Sequence, residues 1–138
     1  MNRKDLQEIA KTRANDAKVL MENNNFSGAY YLCGYIIECA LKACIAKQVK
    51  QYDFPDKKTV VDSYIHKLDK LLKVAGLDNH LQNDSEKDEE FGLNWNVVKD
   101  WSEDSRYEYD IEEKKARDLF KSINDPEHGV LKWLISHW

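Results

Sequence analysis

One long, mostly apolar stretch constrains the fold of this chain more than any other feature. It runs from Ala29 to Val49 with the sequence AYYLCGYIIECALKACIAKQV. A helix that is apolar around most of its circumference is either the buried centre of a soluble bundle or a membrane span. The stretch also carries Glu38, Lys42 and Lys47, and a charge near the centre of a bilayer costs about 2.5–3.5 kcal/mol. The sequence therefore predicts a buried central helix over residues 27–51, and no membrane span.

The composition favours a single all-helical domain. The chain has 138 residues, of which 42% are hydrophobic, and it contains only two prolines and five glycines. Few residues therefore interrupt helices, and a chain of this length can bury one core. We predict one domain over residues 1–138, an up-and-down bundle of about five to six helices. No apolar run with a cleavage site precedes the first helix, so we expect a cytoplasmic location.

Apolar residues at helical spacing place the other helices along the chain. The acidic segment after the third helix and the polar segments around it are predicted to be loops or irregular structure. The predicted helices are Arg3–Glu22, the central helix, Tyr64–Ala75, Glu90–Glu103, Ile111–Ile123 and a last helix that starts at Asp125-Pro126. The predicted loops and irregular segments are Gln51–Val61, Asp78–Glu90 and Asp104–Asp110.

Four polar side chains of the central helix are predicted to share one face. Tyr31, Tyr35, Glu38 and Lys42 follow the spacing i, i+4, i+7 and i+11, which keeps residues on one side of a helix. A glutamate four residues before a lysine is well placed to pair with it, and burial makes such a pair nearly obligatory. Two interpretations stay open. The pair could serve helix packing alone, or Glu38 could orient a basic residue, such as Arg106, across a groove.

His66 and the pair Arg106-Tyr107 are the other candidate functional residues. His66 is predicted in the first turn of the third helix, where a neutral imidazole could donate to a carboxylate or a backbone oxygen. A lone histidine is more often structural, and that reading stays open. An arginine beside an aromatic ring suits a phosphate or base-stacking contact, unless Arg106 pairs with Asp104 or Glu108.

The sequence gives no reason to expect a metal or a cofactor. The three cysteines, Cys33, Cys39 and Cys44, lack the spacing of metal ligands, and we predict that they are small buried hydrophobes. No Walker loop, GxGxxG, HExxH or nucleophile elbow is present. The net charge of −4 argues against a nonspecific nucleic-acid binder. If nucleic acid binds, a local site in the N-terminal part or a groove formed by a dimer is expected.

Three phrases of the sequence together resemble the HEPN family, named for higher eukaryote and prokaryote nucleotide-binding domains. They are FSGAYYLCGYIIECALKA at Phe26–Ala43, IHKLDKLL at Ile65–Leu72 and WSEDSRY at Trp101–Tyr107. They are similar to the family's aromatic, alanine, glycine and E-x-x-L-K segment, its histidine–leucine helix opening and its arginine–tyrosine segment. The resemblance covers nearly the whole chain.

The resemblance implies a helical bundle that commonly forms a homodimer and is often encoded beside a minimal nucleotidyltransferase partner. Active family members are metal-independent endoribonucleases of toxin–antitoxin and defence systems, and their catalytic signature is R-x(4–6)-H. The chemistry suits that pair, because a histidine can move the proton of a 2′-hydroxyl while an arginine stabilises the phosphate charge. Neither Arg106 nor Arg117 is followed by a histidine at this spacing.

We therefore predict a HEPN-like protein that binds RNA, a nucleotide or a partner protein without the standard ribonuclease pair. Two alternatives stay open: an active endoribonuclease toxin with non-standard residues, for which Arg106 and His66 are the catalytic candidates, and a structural or adaptor dimer module. The predicted ligand-binding residues are Tyr35, Glu38, Lys42, Arg106 and Tyr107.

Overall fold

The central helix, α2, is buried along most of its length. The computed structural model describes residues 1–49, 54 and 56–138. Helix α2 spans Phe26–Lys47, and 13 of its 22 residues are buried. It is long and apolar enough to cross a membrane, but 72% of its most apolar 18-residue window is buried inside the protein. The predicted central helix is confirmed, although it ends at Lys47; residues 50 and 51 lie outside the described part of the chain.

Helix α1 packs along α2 and begins and ends with polar residues that suit these positions. It spans Arg3–Glu22, as predicted. At its start, the Asn2 side chain accepts from the Asp5 amide while the Asp5 carboxylate accepts from the Asn2 amide, which satisfies two amide groups that lack helical partners. The chain then reverses at Asn24, whose φ of 61° is a conformation that asparagine tolerates.

The remaining helices pack around α2 or on its neighbours. Helices α4, α7 and α8 contact α2, α6 contacts α5, α7 and α8, and a short 3-10 helix also lies against α2. The described residues thus form eight α-helices and no strand. This confirms the all-α class, whereas the predicted number of five to six helices is too low. The elements are α3 (Lys57–Asp62), α4 (Leu68–Val74), α5 (Asp78–Lys87), α6 (Glu89–Val98), the 3-10 helix (Glu103–Tyr107), α7 (Glu113–Asn124) and α8 (Val130–Ile135).

The predicted third helix, Tyr64–Ala75, is wrong in its first half. The carboxylate of Asp56 accepts from the Thr59 amide and so starts α3 within the predicted loop Gln51–Val61, because an aspartate at this position satisfies a free amide of the first turn. The chain then turns, and α4 begins only at Leu68. His66 consequently lies in the connection before a helix and not in a first helical turn.

The acidic segment Asp78–Glu90, predicted as a loop, instead forms α5 and the start of α6. Its acidic side chains make specific hydrogen bonds that charge alone does not reveal. The Asp84 carboxylate accepts from the Trp133 indole nitrogen at 2.7 Å, and the Asp88 carboxylate accepts from the Phe91 amide and starts α6. Acidic residues near a helix N-terminus are also favoured by the helix dipole.

Two further helix boundaries differ from the prediction: one helix ends earlier and the last helix begins later. Helix α6 ends at Val98 rather than Glu103, so Trp101 lies after the helix and not on its face. The last helix begins at Val130, because the Asp125 carboxylate accepts from the amides of Glu127 and His128 and holds a turn there.

Candidate functional site

Four polar residues line one side of α2, and we call this set the α2 polar face: Tyr31, Tyr35, Glu38 and Lys42. The rings of Tyr31 and Tyr35 stack with centroids 6.1 Å apart and planes inclined by 14°. Lys42 Nζ donates to Glu38 Oε2 at 3.3 Å. Burial, followed by the neighbouring Cys39 thiol, raises the pKa of Tyr35 to about 12. Its phenol therefore stays protonated at neutral pH and can stack or form hydrogen bonds.

Glu38 is the buried centre of a charged cluster formed by three separate segments. Only 4% of Glu38 is exposed, so its carboxylate needs partners. His66 Nδ1 lies 2.9 Å from Glu38 Oε1, and His66 Nε2 lies 3.2 Å from Glu103 Oε2. With the bond from Lys42, the carboxylate has two basic partners, and neither of them is Arg106. The interpretation in which Glu38 orients Arg106 directly is therefore wrong.

Arg106 projects from the 3-10 helix and lies over its own neighbour. Its guanidinium donates to the Tyr107 hydroxyl at 2.6 Å and lies 4.8 Å from the centroid of that ring. This hydrogen bond raises the pKa of Arg106, and the nearby Tyr31 and Glu103 add to the effect. Within the described residues Arg106 forms no ion pair, so the alternative in which it pairs with Asp104 or Glu108 is also wrong.

Trp101 fixes the 3-10 helix against α2. Its indole is 3% exposed and its ring lies 6.0 Å from that of Tyr31. The close approach requires Gly34, since a Cβ atom at that position would lie only 1.9 Å from Trp101 Cδ2. Gly34 thus sets the depth at which Trp101 packs, and with it the position of the segment that carries Glu103 and Arg106.

A cavity of about 460 Å³ opens beside the α2 polar face, between α2, the start of α1 and α3. Its size suits a small-molecule or nucleotide ligand. Another cavity, of about 410 Å³, lies on the side of His66 and Glu103. Glu38 lines the first and His66 lines the second, so this hydrogen-bonded pair lies between the two cavities. The first is lined by Tyr35, Glu38, Lys42, Tyr64 and by apolar residues that include Leu6, Ile45 and Val60.

The comparison with protein families gives one match for this chain. Residues 4–133 match the HEPN domain, which is nearly the whole chain. This chain belongs to the HEPN domain family. The resemblance carried by its sequence phrases is therefore confirmed. Neither the curated proteins nor the solved structures compared with the chain gave a match.

In this HEPN domain, the structure places the predicted ligand-binding residues in two groups and adds two residues that were not predicted from the sequence. Tyr35, Glu38 and Lys42 share one cavity, whereas Arg106 and Tyr107 lie on the 3-10 helix beside Tyr31. Glu103 joins these two groups by contacting His66, and Gly34 admits Trp101. The phrase Trp101–Tyr107 contains Glu103, but the contact spans 37 residues of sequence and no local pattern predicts it.

The three cysteines of this HEPN domain are buried and free, which confirms their predicted role as small core residues. Burial raises the pKa of Cys33 to about 12 and that of Cys44 to about 11, and it raises the pKa of Cys39 as well. Because the thiolate is the reactive form, these residues are poor nucleophiles at neutral pH.

His128 joins α6 to the turn before α8. Its Nδ1 lies 2.7 Å from Asp88 Oδ2 and its Nε2 lies 3.2 Å from Glu90 Oε2. The hydrogen bond to Asp88 is the main cause of the raised pKa of His128, and the same bond is the main cause of the lowered pKa of Asp88. The His137 imidazole has the opposite shift: burial, followed by His80, lowers its pKa.

These opposite shifts predict opposite pH dependences for two histidine variants. A raised pKa of His128 stabilises the fold fully below the ordinary value of 6.5, and this contribution is lost as pH rises through the raised value. The lowered pKa of Asp88 stabilises the fold above its ordinary value of 3.8, so the pair is strongest between these two limits. His128→Asn should therefore lower Tm more at pH 5.5 than at pH 8.5.

His137→Asn is the matched control for this prediction. A lowered pKa makes protonation of His137 unfavourable in the folded state. The contribution of His137 to stability is therefore present above the ordinary pKa of 6.5 and is lost as pH falls through the lowered pKa. Thermal unfolding of the wild type and both variants across this pH range is the measurement. Parallel pH profiles for His128→Asn and His137→Asn would refute the assigned contacts.

Proposed function

We propose that this HEPN protein binds single-stranded RNA along the α2 polar face and the adjoining 3-10 helix, without the R-x(4–6)-H ribonuclease pair. The observation that carries the proposal is the position of Arg106. This exposed cation has no carboxylate partner among the described residues, and it lies over one aromatic ring and close to a second. Such a group can contact a phosphate while neighbouring rings stack on bases.

Further aromatic rings lie close to this cation. Tyr107 is 72% exposed, and Tyr31 continues into the stacked Tyr35. Single-stranded RNA is recognised by stacking of unpaired bases on such rings, with Arg or Lys on the backbone. The overall charge of −4 makes a local site of this kind a better match than a broad basic surface.

Replacement of Arg106 by alanine tests the proposal. Binding of a fluorescently labelled single-stranded RNA of about 12 nucleotides, followed by anisotropy, should weaken about ten-fold or more, since one stacking or charged contact contributes about 1–3 kcal/mol. Arg117→Ala is the matched control, because Arg117 also lies near an aromatic ring, Phe26, but pairs with Glu113. Equal losses in both variants, or no binding by the wild type, would refute the proposed site.

A second candidate function is metal-independent RNA cleavage, and the Glu38–His66 contact favours it. A carboxylate that holds Nδ1 of an imidazole orients the ring for proton transfer at Nε2, and Glu103, which contacts that Nε2, lies close to Arg106. Induced expression should then stop growth and shorten cellular RNA, and His66→Ala or Arg106→Ala should relieve both effects. A harmless protein that leaves RNA intact excludes this function.

The proposed biological context is a toxin–antitoxin or defence system, and the proposed partners are a second copy of the chain and a minimal nucleotidyltransferase. These proposals rest on the family to which the chain belongs. A neighbouring reading frame that encodes a nucleotidyltransferase, and co-purification of the two products, would support them. A monomer that does not bind the neighbouring product would refute them.

A further inference from the structure

The cavity beside the α2 polar face combines an apolar wall with two opposite charges. Leu6, Ile45 and Val60 contribute apolar surface, whereas Glu38 and Lys42 contribute the charges. Glu38 is 4% exposed, so it is a built-in feature of the cavity wall and not a surface side chain that swings freely. A site with an apolar body and a few fixed polar groups is typical of small-ligand recognition.

Glu38 and Lys42 retain hydrogen-bonding capacity after they bind each other. A carboxylate accepts at about four positions, and the contacts from Lys42 and His66 occupy one on each Glu38 oxygen. An ammonium has three donors, and one of those of Lys42 is directed to Glu38. The cavity wall therefore carries a hydrogen-bond donor immediately beside a group that only accepts.

Among the four RNA bases, guanine matches this donor–acceptor order best. Its Watson–Crick edge carries the O6 acceptor followed by two donors, N1–H and the N2 amine, so Lys42 can donate to O6 while Glu38 accepts from both nitrogens. Uracil would direct a second carbonyl oxygen toward the carboxylate, and adenine and cytosine each place an unprotonated ring nitrogen there. Recognition of unpaired bases by this edge is common in RNA-binding proteins.

Aromatic residues of the cavity can hold the faces of such a base. Tyr35 and Tyr64 both line the cavity, and Tyr64 is 75% exposed, so its ring is free to cover a bound base. Base–aromatic stacking tolerates any base; the discrimination would come from Glu38 and Lys42. We infer that this cavity is a guanine subsite for the bound RNA, an inference that rests on the proposed function.

Oligouridines of about eight nucleotides with one central substitution test the inference. Guanosine at that position should bind the wild type about ten-fold more tightly than adenosine, as expected for a good two-bond contact to a base edge. Inosine keeps O6 and N1–H but lacks the N2 amine, so its affinity should lie between the two. The measurement is fluorescence anisotropy at fixed salt, because phosphate contacts depend on salt.

Lys42→Met and Glu38→Gln should each bring the ratio of the guanosine and adenosine affinities, measured within the same variant, to about one. Lys114→Met is the matched control, since Lys114 forms a pair with Asp118 in α7 at the same four-residue spacing and does not line the cavity. If Glu38→Gln fails to fold, Lys42→Met alone decides, because Glu38 then keeps His66 as its partner.

The outcomes separate this inference from the proposed function. Equal affinity for the guanosine and adenosine oligonucleotides, with binding that still requires Arg106, overturns the guanine subsite and leaves RNA binding in place. A guanosine preference that persists in both cavity variants also overturns it. No binding of any oligonucleotide overturns the proposed function and this inference with it.

Discussion

Replacement of Gly34 by alanine is expected to destabilise the protein by about 2–3 kcal/mol, near the upper end of the cost of overpacking a core. The added Cβ would lie 1.9–2.2 Å from three atoms of the Trp101 ring, so the indole must leave its buried position. The gain of up to about 1 kcal/mol that alanine brings to a helix offsets only part of this cost. Because Trp101 positions the 3-10 helix, RNA binding should weaken in the same variant.

Gly28→Ala is the control for this prediction. Gly28 also lies in α2, but a Cβ there would meet only Leu20 Cδ1 at 3.4 Å, which is an ordinary contact. This variant should be neutral or more stable by up to about 1 kcal/mol. Urea unfolding, followed by tryptophan fluorescence and by far-UV circular dichroism, measures both variants. A Gly34→Ala protein as stable as Gly28→Ala would contradict the packing of Trp101 on α2.

Glu38→Ala is expected to have the other large effect, a loss of about 3 kcal/mol of unfolding free energy, since a hydrogen bond to a charged group is worth about 1.5–3 kcal/mol. The substitution removes both contacts of the carboxylate and leaves Lys42 and His66 without their shared partner. The side chains of these two residues are 21% and 43% exposed, so water can solvate them in part. The loss should therefore stay at the lower end of the range for a broken buried pair, about 3–5 kcal/mol.

Glu8→Ala provides the comparison for an exposed pair. Glu8 lies 3.5 Å from Lys11 on the surface of α1, and pairs of this kind contribute about 0.2–1 kcal/mol. Urea unfolding of the two variants should separate them clearly. If Glu38→Ala cost no more than Glu8→Ala, the Glu38 carboxylate would have to be hydrated in the folded protein. If the Glu38–Lys42 pair serves only to fix helix packing, Lys42→Met should also leave RNA binding unchanged.

The sequence predicts the α2 polar face well because a single helix determines it. Once residues 26–47 form a helix, the spacing of Tyr31, Tyr35, Glu38 and Lys42 places them on one side whatever surrounds them. The same periodicity identifies α1 and the core residues of α7. Local patterns therefore account for the all-α class and for the three polar residues that α2 contributes to one cavity.

The partners of these residues depend on tertiary contacts and could not be read from the sequence. Glu103 contacts His66 across 37 positions, and Gly34 matters only because Trp101 lies against it. Helix α5 was missed for a related reason, since Asp84 and Asp88 look like solvated acids until Trp133 and His128 reach them. A carboxylate that would be solvated on its own becomes part of the packed structure when a donor from a distant segment binds it. No local sequence pattern predicts that donor.

The Glu38 cluster also has a consequence for the order in which the protein is made. Helices α1 and α2 are neighbours along the chain and can pair early, as local contacts generally form first. The cluster requires residues 38, 66 and 103, and Arg106 follows shortly after them. A chain still on the ribosome therefore carries the α2 polar face before His66, Arg106 and Tyr107 can reach it. If this surface binds RNA as proposed, the nascent chain would lack the complete binding surface until residues beyond Tyr107 have emerged.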